Sequence, residues 1–345
     1  MNRARGLPLL FAGLIGLAPV LGLASGPSAP AAKTHAAPAH DFRALNAILK
    51  TPDEKVDFAK AKLTIDRLID PTLDASAVLR ELDQLTNAVK ARTPAGLTDR
   101  ARMDTLLSTL YTSGPWNGNR PFSYDLDDPF GKNRRNKLLS TYLHTRKGNC
   151  VSMPILVAII GQRVGLTTLL ATAPEHVMVK FADGTGNWLN VEATAGGYKW
   201  DSSYERDTGI GALAIQNEIY LRPLSPRESV GVMASTLMEE LAAKKRADDL
   251  MAVADMVLAV NSKDTVAMIQ KANAYYLQLQ ERYNSKYPRP TDIPPALQAD
   301  YQMRSRENLA WFAKAEAVGW TPPTAQNKAS YLNSVEQEKQ RRGQR

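Results

Sequence analysis

The chain has 345 residues, 44% hydrophobic and 23% charged, which excludes disorder throughout and leaves room for one large or two modest domains. The formal charge of +8 draws on Arg3 and Arg5 at the start and on Lys339, Arg341, Arg342 and Arg345 at the end, so the remainder is mild and no nucleic-acid partner is expected. A single cysteine and four histidines exclude an internal disulfide framework and lack the ligand spacing of a zinc site, so neither a metal nor a cofactor is expected.

Residues 1–24 join a short basic start to an apolar run broken by Gly and Pro and end in small residues, the pattern of a secretory signal peptide. A periplasmic or secreted protein is expected, with no stable membrane insertion once that segment is cleaved. Residues 25–40 are rich in Ala, Pro, Ser and His and lack apolar periodicity, which predicts a flexible linker and sets His35 and His40 aside. A helical lead-in follows. Thr51-Pro52-Asp53-Glu54 matches a capping box with Pro at the first helical position. Asp74 caps a helix carrying Val78, Leu79, Leu82, Leu85 and Val89, and Thr98 opens a third through Met103, Leu106, Leu107 and Leu110.

Residues 114–131 break into a loop rich in turn formers, a candidate lid, with Trp116, Asp125, Asp127 and Asp128. Turn formation by Asp before Pro accounts for these acids without calcium. From Lys137 a short helix leads to Gly148-Asn149, and residues 150–164 form a second helix so apolar that it must be enclosed on most sides. Strands are predicted over 167–172, 176–181 and 188–194, the last two joined by a Gly-containing hairpin loop. The fold class is therefore α+β, a buried helix against an antiparallel sheet. After Pro226 the chain is helical again. Residues 254–276 resemble a tetratricopeptide repeat in their small and aromatic positions, with a plain helical extension as the alternative. Residues 226–320 form this helical region, and 321–345 a basic tail expected to be a solvated, disordered end.

The chemistry concentrates at Cys150, which opens the apolar helix. First-turn N–H groups there favour thiolate over thiol, which makes Cys150 a candidate nucleophile. Its base is drawn from His144, expected to point outward, and His176, which starts a strand able to aim its imidazole. With residues 182–186 as the loop, His176 falls opposite Glu192. A slip by two brings Asn190 or Thr194 there instead, and all three share one face, so spacing leaves the orienter open. Charge favours Glu192, since a carboxylate fixes the tautomer and steadies the imidazolium; Asn190 is the alternative third member.

Gly148-Asn149-Cys150, the strand-borne His176 and the Glu192-Ala193-Thr194 run resemble the transglutaminase-like superfamily of papain-type thiol enzymes. Residues 122–129, 146–149 and 173–176 resemble more closely its bacterial SirB-like group, many of whose members end in tetratricopeptide-like helices. The resemblance spans about residues 50–225 and implies a papain- or transglutaminase-like core over 41–225. In the superfamily an Asp usually supplies the third member, so Glu192 takes that position. The resemblance also implies Trp116 as an oxyanion donor, beside the backbone N–H of Cys150.

These readings lead to an exported cysteine-dependent acyl-transfer enzyme. It hydrolyses amide or peptide bonds of a protein, peptide or cell-wall substrate through Cys150, His176 and Glu192. An amine in place of water makes it a transamidase. The rival is a non-catalytic scaffold that binds a partner peptide on its C-terminal helices.

Overall fold

The computed structural model describes residues 41–343, so the signal-peptide and linker expectations at 1–40 lie outside the described residues. Four helices lead in: α1 (Arg43–Leu49), α2 (Phe58–Ile69), α3 (Ala75–Ala91) and α4 (Asp99–Tyr111). Asp74 and Thr98 cap α3 and α4 as their positions predict, each accepting a backbone N–H three residues on. The box at Thr51 does not start a helix. Asp53–Lys55 makes one 3-10 turn, and the Asp53 carboxylate instead accepts the Arg227 backbone N–H at 2.9 Å; α2 starts later, capped by Asp57. Tertiary bonding of Asp53, inside the box, has taken the segment away from the helix that the local pattern predicted.

Next come β1 (Ser123–Tyr124), α5 (Leu139–Thr145), β2 (Lys147–Gly148) and α6 (Ser152–Arg163), with β1 and β2 pairing in parallel. Every residue of α6 from Ser152 to Gly161 is buried, as its unbroken apolar run requires. The sheet is antiparallel in chain order: β3 (Thr168–Ala173), β4 (His176–Ala182), β5 (Trp188–Glu192) and β6 (Gly197–Tyr198). Side-chain alternation divides it cleanly. Leu170, Val177, Val179, Phe181 and Val191 join α6 in the main core, whereas Ala171, Ala173 and Met178 pack in a smaller core with Tyr204. Tyr204 comes from α7 (Asp201–Thr208), which is followed by α8 (Ala212–Gln216).

Of the registers that spacing left open, the hairpin adopts the one that sets residue 194 across from His176. Ala182 pairs with Trp188 and Val179 with Val191, so the loop is 183–187, one residue later than the spacing suggested. The Asp183 carboxylate sets it by accepting the Thr185 and Asn187 N–H groups.

The remaining helices are α9 (Pro226–Ala243), α10 (Ala247–Val260), α11 (Thr265–Leu279), α12 (Pro295–Ala317) and α13 (Ala325–Gly343). Although 226 reads as the start of a separate helical region, α9 packs on α2 and β3 and supplies Val230, Met233, Leu237 and Met238 to the main core. Helices α10, α11 and α12 then stack in sequence order. The expected solvated tail is α13 instead. Tyr331 and Val335, one helical turn apart, lie on a single face and are 1% and 3% exposed, which gives a charged segment a reason to dock. No described helix is long and apolar enough to cross a membrane.

Candidate active site

Cys150 lies in the turn between β2 and α6. Gly148 permits that turn because a Cβ there would sit 2.4 Å from Tyr142 Cε2 and 2.8 Å from Met153 Cγ. The buried Asn149 then closes it: its Oδ1 accepts the Val151 and Ser152 N–H groups, each at 3.0 Å, and Ser152 Oγ accepts the Asn149 N–H at 3.1 Å. These are the N–H groups expected to favour a thiolate, and Asn149 has taken them. Cys150 itself is 6% exposed, and burial pushes its thiol up to about 12. The Lys137 ammonium opposes that rise, while the Glu192 and Glu239 carboxylates add to it. The expected lowering is therefore reversed in this arrangement: loss of hydration outweighs the helix start and the nearest cation.

Lys137 is positioned by a buried network. Its ammonium pairs with Glu239 of α9, and its carbonyl accepts the Lys62 ammonium at 2.9 Å. Lys62 is also bonded to Asp66 at 2.6 Å, and Asp66 accepts the Leu139 N–H at 2.8 Å. Residue type and spacing along the chain gave no warning of this set.

His176 follows a two-residue turn, Pro174-Glu175, in which Glu175 holds a left-handed φ of 55°. Topology brings it to the Cys150 end of α6. The twelve residues of α6 span roughly 18 Å and the six of β3 roughly 20 Å, and the Leu166 N–H returns to the Gly161 carbonyl where helix passes into strand. The start of α6 thus lies at the sheet end where β4 begins and β5 stops. His176 and Glu192 occupy the sheet face toward α7 at that end, while Cys150 belongs to the core on the α6 side.

The imidazole is oriented by Glu192, with His176 Nε2 and Glu192 Oε2 2.9 Å apart and both residues 1% exposed. The observed register would set residue 194 across from His176, so Glu192 reaches the ring diagonally. Three more donors reach the same carboxylate: Tyr204 Oη at 2.7 Å, Thr194 N at 3.1 Å and Thr194 Oγ1 at 2.5 Å. Burial alone would raise Glu192, but the imidazole charge and these hydrogen bonds outweigh it and hold the carboxyl at about 2. An ionised acceptor at Nε2 places the ring proton there and leaves Nδ1 as the basic nitrogen. Nδ1 is buried and has no hydrogen-bond partner.

Asn190 stands apart from the imidazole. Its Nδ2 donates to the Lys199 carbonyl at 3.0 Å and to Asp201 Oδ1 at 2.7 Å, tying the start of α7 to the sheet. Trp116 lies against α3 and α4 with the Arg92 guanidinium 3.6 Å over its ring, and its Nε1 makes no hydrogen bond. His144 is exposed. Tyr204 was missed in the sequence, although its isolation as the one aromatic residue in an otherwise polar helix is a signal that it anchors that helix.

Comparison with curated proteins and with solved structures returns no match. Residues 76–234, from α3 into α9, match the transglutaminase-like superfamily, and the matched segment contains Cys150, His176 and Glu192. Together with the buried helix and antiparallel sheet, that match identifies residues 76–234 as a transglutaminase-like superfamily domain.

Proposed function

We propose that the chain is an exported thiol enzyme that hydrolyses amide or peptide bonds through Cys150, His176 and Glu192. The observation carrying this reading is the imidazole held through Nε2 by an ionised, fourfold hydrogen-bonded Glu192 while Nδ1 stays free. In the structure the thiol lies on the α6 side and the imidazole on the α7 side of the same sheet end, so on this reading the pair closes as substrate binds. The Cys150 proton passes to Nδ1, sulfur adds to the carbonyl carbon, and the backbone N–H of Cys150 faces the oxyanion. Collapse expels the amine, which takes the proton from Nδ1, and leaves a thioester. Water gives a proton to Nδ1 as its oxygen attacks, and the thiol leaves with that proton. An amine in the place of that water makes the transamidase variant. Residues 122–129, 146–149 and 173–176 support placing the domain in the SirB-like group of the superfamily.

The test is intact-mass detection of a Cys150 acyl adduct, with turnover of peptide and cell-wall amide substrates by wild type and Cys150→Ala. An adduct and loss of turnover in the variant are expected; equal turnover contradicts the mechanism. A lysine-donor incorporation assay separates transamidation, and N-terminal sequencing of the mature chain tests export. The raised thiol of Cys150 favours a second reading, a scaffold with an ordinary, unreactive cysteine. That reading expects no adduct with any acyl donor.

A further inference from the structure

The C-terminal helix α13 docks through two side chains on the loop beside the thiol turn. Tyr331 and Tyr124 phenol oxygens lie 2.5 Å apart, and they approach the Pro129 carbonyl at 2.6 and 2.7 Å respectively. The Tyr331 ring is tilted against Phe130 with centroids 5.3 Å apart, and Val335 packs beside it with Leu126 and Phe130. These partners belong to the loop that leads from β1 toward α5. Tyr124 pairs with Gly148, two residues before Cys150, and the Asp125 N–H bonds the Gly148 carbonyl at 2.8 Å. β1 also packs on the turn that follows Glu192. A tyrosine from the far end of the chain is thus seated beside the Cys150 turn, on the 114–131 loop that the sequence marks as a lid.

A charge on Cys150 or on Glu192 raises the phenols of both Tyr124 and Tyr331, added to the larger effect of burial. Tyr331 and Val335 form a small apolar cluster of their own with the loop, and residues 320–324 connect α13 to α12 without regular structure. Lys339 adds an exposed contact to Asp127 at 3.9 Å.

We propose that the pocket beside Cys150 formed by Tyr124, Leu126, Pro129 and Phe130 binds an aromatic side chain of the acyl substrate, and that Tyr331 of the chain's own C-terminal helix fills it as an intramolecular competitor. The pocket offers what a phenol needs: an apolar wall, an aromatic edge and a carbonyl acceptor at its end. Because Tyr124 pairs with Gly148 beside the Cys150 turn, the proposal takes displacement of α13 to open the thiol as it vacates the subsite. The proposal rests on the acyl-transfer reading of Cys150.

The test uses the full chain. Alkylation of Cys150 by iodoacetamide is followed by intact mass in wild type, Tyr331→Ala and Val335→Asp, with Cys150→Ser as the control for other sites and circular dichroism to confirm folding. Val335→Asp ejects the helix while leaving Tyr331 and the pocket residues intact, so either folded variant decides the question. At least tenfold faster alkylation is expected in each, and millimolar N-acetyltyrosinamide is expected to slow it again while N-acetylleucinamide does not. Wild-type rates in the variants, or equal protection by the two amides, overturn the proposal. Failure of the acyl-transfer reading shows differently: alkylation accelerates in the variants, but its pH profile does not move when His176→Ala is added.

Discussion

Replacing Glu192 by Gln removes one charge from the most densely bonded group of the site without changing its shape. Four donors converge on that carboxylate, which is held at about 2 against an ordinary 4.5. The gap corresponds to about 3 kcal/mol of folding stability. Because the folded value lies below the unfolded one, this contribution is fully present above about pH 4.5 and is lost as pH falls toward 2. Urea unfolding of wild type and Glu192→Gln at about pH 7 and about pH 3 measures it. The variant is expected to be less stable by about 3 kcal/mol at the higher pH and by about 1 kcal/mol at the lower, other acids cancelling in the difference. The amide also donates to Nε2, which drives the ring proton to Nδ1 and removes the base. Acylation should then fall on the order of 10³–10⁴-fold, the scale of tautomer loss in a catalytic triad. A stability difference that does not change with pH, or one well under 1 kcal/mol at neutrality, would refute the reasoning.

Tyr204→Phe takes one of the four donors from Glu192 and should cost about 1–2 kcal/mol in urea unfolding while leaving the imidazole bond intact. Lys137→Met leaves Glu239 without its buried ammonium partner, so a loss of about 3 kcal/mol is expected on the same assay. Ultraviolet titration of the thiolate should also show Cys150 rising further, since Lys137 is the cation that opposes its burial. Asn149→Ala frees the Val151 and Ser152 N–H groups, and thermal unfolding should report a loss of about 1–2 kcal/mol.

The sequence revealed the elements that depend on local chemistry. The caps at Asp74 and Thr98, the enclosed helix after Cys150 and the strand carrying His176 all follow from side-chain type and periodicity. Where local pattern left the outcome open, context decided: Asp53 bonds to α9 and the box at Thr51 opens no α-helix, and Asp183 sets the loop that selects the hairpin register. The state of the thiol was not legible at all. It depends on burial and on charges distant in the chain, Lys137, Glu192 and Glu239. Tyr331 was hidden for a different reason. Net charge dominated the reading of the tail, although Tyr331 and Val335 already stood four apart, the spacing of a helix face.

The central claim is that His176 Nδ1 serves as the base for Cys150 once the thiol is uncovered. Its most direct test is the pH dependence of Cys150 alkylation in Val335→Asp, with and without His176→Ala. With the histidine present, the rate should reach a plateau well below pH 8; without it, the rate should climb through about 8.5 as for an isolated thiol. Identical profiles in the two proteins would contradict the account.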